Sequence, residues 1–252
     1  MTGAEVVAVL VANAKVVITA LGTILSSAVV ASSKNKEIKS AERIAEQENS
    51  TLSQAEKDKI ALAEKNIPFE LITEVPWNHG AITKHHNPLA KLPVLILEDG
   101  SSVYDSRFIL EYLELTYPQT PLLSSEVPER LTAKKLEVLA DGICDAVVLV
   151  FFERMRGDNA SAEWTARQVH KIEAGVCELA RLVEQSQFAV GNKFGLADIA
   201  VGSALGYLKV RYKEFDWQNL YPALANYSTK LEQRSSFQQT QPYPQTISDK
   251  VV

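Results

Sequence analysis

Apolar residues along this chain follow two different periods. Between residues 69 and 104 they come in short runs bounded by turn residues, and from Leu136 onward they recur every three or four positions. The first pattern predicts strands and the second predicts long helices. Residues 69–72 read as a strand set off by Pro68. Residues 92–97 form an apolar run around Pro93, closed by Glu98-Asp99-Gly100, which is turn chemistry between two strands. Residues 102–104 continue as a short second strand. A helix then begins at Asp105-Ser106, with Phe108, Ile109, Tyr112 and Leu113 as its apolar face. Residues 116–130 are a Pro/Ser linker and a domain boundary. Beyond it, Leu136, Leu139, Ile143, Val147 and Val150 mark one face of a long helix. Ile172, Val176, Leu179 and Val183 mark a partner, with residues 185–194 as the connection. Residues 195–208 are apolar nearly all round and predict a central buried helix. Asp198 falls three residues after Gly195, where its side chain reaches back to cap free N–H groups, so it reads as a folding residue.

The start of the chain has a different texture. Glu5 and Lys15 are the only charges in residues 1–32. That stretch reads as an appended segment, as a membrane anchor over residues 6–32, or as a secretory signal, although no basic n-region precedes it. Residues 33–65 then alternate Lys and Glu densely, which predicts a helix with a solvated, charge-paired face. Ile60, Ala63 and Ile67 begin an apolar face there.

Two features between residues 87 and 113 carry candidate chemistry. Pro93 opens a strand, where it costs no ladder hydrogen bond. A cis Leu92–Pro93 bond would turn the Leu92 backbone outward to pair with an extended ligand. Asp105-Ser106 at a helix N-terminus combines a carboxylate, a hydroxyl and unpaired backbone N–H groups. This suits a zwitterionic amino-acid end, with its amine on Asp105 and its carboxylate on Ser106 and the positive helix end.

The run KLPVLILEDGSSVYDSRFILEYLE, residues 91–114, resembles the glutathione-binding half of the thioredoxin-like domain in glutathione S-transferases. There the loop reads "NPxGKVPxL" and an acidic residue followed by Ser opens the third helix. Ala90 stands here for the usual Gly and Leu92 for the usual Val. KIALAEKNIPFELITEVPW resembles the end of the family's first helix and its second strand. ADGICDA at residues 140–146 and the stretch from Trp217 resemble the family's helical domain, so the resemblance spans residues 59–244. Two departures stand out. The Pro-aromatic pair that follows the family's catalytic hydroxyl or thiol is absent, and the residues before it do not read as a buried strand. The first strand is therefore missing, replaced, or supplied from upstream, for example by residues 6–11. Gly195 also removes the hydroxyl half of the family's Ser/Thr-x-x-Asp capping box.

The resemblance implies an α/β thioredoxin-like domain with an atypical or missing first strand, followed by an all-α bundle. The corresponding divisions are an N-terminal extension (1–49), a glutathione-binding domain (50–117) and a helical domain (126–244). It implies glutathione as co-substrate, held by the Leu92 backbone, Asp105 and Ser106. Ser53 is the best-aligned hydroxyl for activating the thiol; Ser50 and Thr51 are its neighbours, and a helix-cap role is open for all three. The implied reaction is conjugation, or glutathione-dependent transformation, of a small hydrophobic electrophile, in detoxification or in a tailoring step of secondary metabolism. The electrophile would lie near Asp141, Cys144, Asp145 and Val148. Homodimerisation is carried over in the same way. An inactive binding or structural protein on the same fold is the alternative.

Composition narrows the classes further. The 252 residues are 46% hydrophobic, enough for one large core or two smaller ones. A net charge of −5 without a basic stripe argues against nucleic acid as a partner. Cys144 and Cys177 both fall in apolar helical stretches and read as buried free thiols of a reducing, cytoplasmic compartment, with membrane association through residues 6–32 as the alternative. His79, His85, His86 and His170 have no metal-ligand spacing, so no metal is expected, and His85-His86 reads as a solvated loop pair.

Overall fold

The computed structural model describes residues 6–11, 52–73, 81–184 and 186–240. A four-stranded sheet runs β1 (Val6–Val11), β2 (Glu70–Thr73), β3 (Val94–Leu97) and β4 (Ser102–Val103), in spatial order β2-β1-β3-β4. β1 is parallel to β2, with Leu10 opposite Ile72, and antiparallel to β3, with Leu10 opposite Val94. β4 closes the edge antiparallel to β3. The first strand thus comes from far upstream, the last of the three sources left open by the sequence. Ser50, Thr51 and residues 12–32 of the apolar run lie outside the described residues.

Three helices accompany the sheet: α1 (Leu52–Glu64), α2 (Thr83–His86) and α3 (Ser106–Thr116). α4 (Val127–Met155), α5 (Ala162–Val183) and α6 (Leu196–Arg211) follow, then α7 (Trp217–Leu220), α8 (Pro222–Glu232) and α9 (Ser235–Gln238). α4 packs on α5 and α6, while α1 packs on α6 and α3 and joins the two halves. Leu136, Ile143, Val147 and Val150 of α4 and Ile172, Val176, Leu179 and Val183 of α5 are all buried, as their spacing predicts, and Leu139 is half-buried against the same core. α6 is buried on nearly every side.

Several expectations need correction. α4 starts at Val127, so the linker ends at Glu126, and Pro128 sits in the first helical turn, where its missing N–H costs nothing. The buried face of α3 is Ser106, Ile109, Leu110 and Leu113, an i, i+3, i+4, i+7 set, while Phe108 is 58% exposed. Cys144 is buried but Cys177 is exposed, and neither forms a disulfide.

The largest correction concerns α1. Glu56, Lys57, Asp58 and Lys59 are buried rather than solvated. Lys57 and Asp58 are tolerated because other elements supply partners, while Glu56 and Lys59 attract each other along the helix. Lys57 Nζ donates to Asp141 Oδ1 at 2.8 Å and to Glu137 Oε1 at 3.3 Å on α4. Just past the helix, Lys65 pairs with Glu114 at 2.6 Å and donates to the Tyr117 and Thr120 carbonyls, while Glu114 accepts from the Leu122 and Leu123 N–H groups. This clamp fixes the linker between the two halves. Glu64 takes both Arg234 Nε (3.0 Å) and Nη2 (2.8 Å), securing α9 to α1.

Asp198 behaves as the sequence predicts. It is buried, and accepts from the N–H groups of Ala189 (2.8 Å) and Gly195 (2.9 Å) and from the Tyr227 hydroxyl (2.6 Å). Burial raises its carboxyl above the usual range, and these donors only partly oppose that. Gly195 has a spatial reason to lack a side chain. A Cβ there would stand 2.6 Å from the Leu122 carbonyl oxygen, which itself accepts from the Leu196 N–H at 2.8 Å.

Candidate functional site

The site is built where β3 and β4 deliver the chain to the N-terminus of α3. Asn87 shapes the approach: its amide donates to the Lys91 carbonyl at 2.8 Å, and its side-chain oxygen accepts from the Leu89 N–H at 2.9 Å. Ala90 sits at φ +50, the left-handed region that favours glycine. Leu92 follows, buried, at a cis Leu92–Pro93 bond and beyond the last β1–β3 ladder pair at Val94. Tyr104 packs against Leu92 and Val94, which brings the residue before Asp105 alongside the Pro93 loop.

Asp105 is the N-cap of α3. It is exposed, and its carboxylate accepts from the Arg107 N–H at 3.1 Å. Ser106 is buried, and its hydroxyl donates inward to Asp58 Oδ1 at 2.7 Å, with the Gln54 carbonyl at 3.3 Å. Arg107 completes the turn. Its Nε donates to Asp141 Oδ2 at 2.8 Å, and half of its side chain reaches solvent. Asp141 therefore shares its two oxygens between Lys57 of α1 and Arg107 of α3.

The electrostatics follow from this sharing. Burial pulls the Lys57 ammonium down, but the Asp141 and Glu137 carboxylates outweigh it, so the net shift is upward. The hydrogen bond to Asp141 likewise raises Arg107. Burial pushes Asp58 well above the ordinary carboxylate range, against the pull of Lys57 and of Ser106. The resulting mouth of α3 presents an exposed carboxylate, a helix N-terminus and a fixed guanidinium. It can receive an ammonium and a carboxylate of one ligand side by side.

Sequence reasoning placed Leu92, Asp105 and Ser106, and the structure gathers them around this mouth. It missed Arg107, Lys57 and Asp58, whose partners lie 34 to 84 residues away in sequence. The Lys-Glu composition of α1 disguised the last two as surface charges. Ser53 is the second residue of α1, and its side chain lies outside the described set. Of the residues expected near an electrophile, Asp141 and Cys144 are buried, Val148 is half-buried and Asp145 is exposed. His86 Nδ1 lies 2.9 Å from Ser102 Oγ. Among the described residues, no group of three or more His, Cys, Asp or Glu gathers as metal ligands, and no helix is long and apolar enough to cross a membrane.

A thioredoxin-like sheet carrying this α3 mouth is followed by a helical bundle, a two-part α/β and all-α architecture. The comparisons agree. Residues 53–116 match the glutathione S-transferase N-terminal domain, and residues 162–230 match its C-terminal domain. The chain is 35% identical over 184 residues to the uncharacterized GST-like protein YibF of Escherichia coli (strain K12), covering 73% of this chain and 91% of that protein. A glutathione S-transferase from Methylobacterium radiotolerans, solved with glutathione sulfonate, is 53% identical with a TM-score of 0.77, over 79% of this chain and 95% of that one. One from Methylobacillus flagellatus, solved with glutathione bound, is 37% identical with a TM-score of 0.74, over 77% and 96%. The chain belongs to the glutathione S-transferase family.

Proposed function

We propose that this protein binds glutathione at the N-terminus of α3 and uses its thiol on a small hydrophobic electrophile, by conjugation or by a glutathione-dependent transformation. The observation that carries this reading is the Asp105-Ser106-Arg107 turn set beside the Leu92–Pro93 loop. The γ-glutamyl ammonium of glutathione would meet Asp105. Its carboxylate would meet the free N–H groups of the first turn and Arg107, held from behind by Asp141. The cysteinyl backbone would pair with Leu92. Ser53 would activate the thiol from the start of α1. The glutathione complexes of similar proteins support the co-substrate. That neither Cys144 nor Cys177 forms a disulfide favours a reducing, cytoplasmic setting. The exposed Phe108 and Leu115 of α3, with Leu131 and Val138 of α4, favour a homodimer formed across that face.

The test is calorimetry of glutathione binding to the full chain, with Asp105→Ala as control, followed by turnover on a general aryl halide. Binding that Asp105→Ala abolishes, with turnover that Ser53→Ala removes, supports the enzyme. Binding without turnover favours the second reading, an inactive glutathione-binding protein, which the missing Pro-aromatic pair after Ser53 also favours. Absence of binding by folded protein refutes both readings.

A further inference from the structure

We propose that Asp58, reaching from α1, is a positioning residue that sets whether the Ser106 hydroxyl faces a ligand carboxylate as a donor. This rests on the glutathione reading above and concerns the same site. Asp58 is fully buried, its Oδ1 stands 2.7 Å from Ser106 Oγ, and its Oδ2 has no hydrogen-bond partner among the described residues. An ionised carboxylate with one oxygen unsatisfied in the interior is costly, whereas a neutral acid there leaves only a carbonyl-type oxygen unpaired.

Ser106 has a single hydroxyl proton. When Asp58 is ionised, that proton must point inward to Oδ1, and a buried negative charge lies directly behind the mouth of α3. Both effects oppose a ligand carboxylate, the second through a low-dielectric interior. When Asp58 carries a proton, it donates to Ser106 Oγ, and the Ser106 proton can leave Asp58 for the ligand, against only the Gln54 carbonyl at 3.3 Å. The groups facing Asp58 are Lys57 on its own helix, Ser106 on α3, and Glu137 and Asp141 on α4, with Arg107 beyond Asp141. Burial outweighs the pull of Lys57, in keeping with a protonated Asp58. Sequence alone does not reveal this pairing, because Asp58 sits in a run of charges that composition assigns to solvent.

The experiment is glutathione affinity against pH by calorimetry for the full chain, for Asp58→Asn and for Ser106→Ala, with melting curves to confirm folding. Asn donates permanently to Ser106 and cannot ionise. The wild type should lose roughly tenfold to a hundredfold in affinity as pH rises through the Asp58 titration, the scale of a charge-assisted hydrogen bond. Asp58→Asn should hold the low-pH affinity across that range. Glu56, also raised by burial, is present in both proteins, so the difference between them isolates Asp58. Should Asp58→Asn fail to fold, a pH profile that flattens in Ser106→Ala supports the proposal and an unchanged one overturns it. A wild-type slope retained in Asp58→Asn overturns the inference alone. No glutathione binding by the wild type at any pH overturns the function and this inference together.

Discussion

Replacing Gly195 with Ser would, on sequence logic, complete a capping box with Asp198 and add a few tenths of a kcal/mol. The structure predicts the reverse. A Cβ at residue 195 would lie 2.6 Å from the Leu122 carbonyl oxygen and 3.6 Å from its carbon. The carbonyl has little room to yield. Its oxygen accepts from the Leu196 N–H, and the Leu122 N–H is held by Glu114 at 2.9 Å, itself paired with buried Lys65. Shifting a backbone segment pinned at both ends costs about 1–3 kcal/mol, the range for overpacking a tight contact, and this exceeds the cap's gain. Urea unfolding of the full chain is the assay, read as a lower midpoint at unchanged slope. Gly195→Ala separates the two contributions: it has the clash without the hydroxyl, so it should be as destabilised as Gly195→Ser or slightly more. If Gly195→Ser proves as stable as the wild type or more so, the backbone contact is not the reason for glycine, and the reasoning fails.

Four further outcomes follow from the same contacts. Asp198→Ala strands three donors, and after the relief of burying a carboxylate is deducted it should cost about 3–5 kcal/mol in urea unfolding, with Asp198→Asn intermediate. Ala90→Gly relieves a left-handed backbone at the cost of chain entropy and should stabilise by about 0.5–1 kcal/mol, seen as a raised midpoint. Burial, partly opposed by Lys59, raises Glu56 to about 8 from 4.5, so folding takes up a proton between those values. Stability present below pH 4.5 should then be lost as pH rises toward 8, by up to about 1.4 kcal/mol per pH unit, and Glu56→Gln should remove that share of the slope in pH-dependent unfolding. Phe108→Glu should convert the proposed homodimer to a monomer by sedimentation velocity; an unchanged sedimentation coefficient would place any interface elsewhere.

Legibility followed locality. The β3–β4 turn, the α3 cap at Asp105 and the buried stripes of α4 and α5 depend on residues a few positions apart, so their periods and turn chemistry could be read directly. β1 could be named only as one candidate, because a short apolar run is compatible with a strand, a membrane segment or a buried helix until it has neighbours. Its pairing with both β2 and β3 supplies them. Phe108 was misassigned because an apolar residue in a helix is read as inward by default, while the actual buried arc is set by Ser106, Ile109, Leu110 and Leu113. The charged part of α1 was least legible of all. Composition reports how many ionisable groups a helix has, and says nothing of whether counter-charges await it in space.

That failure bears on function. Four ionisable side chains of residues 57–65 find partners in different elements: Asp58 in α3, Lys57 in α4, Lys65 in α3 and the linker, and Glu64 at α9. Buried ion pairs of this kind add little net stability over apolar residues of equal volume, since desolvation offsets most of the attraction. They do penalise every other placement of the helix, because any shift leaves a charge buried without its partner. α1 is thereby held in one register against α3 and α4, and two of its side chains, Lys57 and Asp58, end directly behind the residues that would receive glutathione. A hydrophobic α1 could pack as tightly, but it would leave Asp141 without Lys57 and Ser106 without Asp58, and the charge presented at the mouth of α3 would no longer depend on where α1 sits.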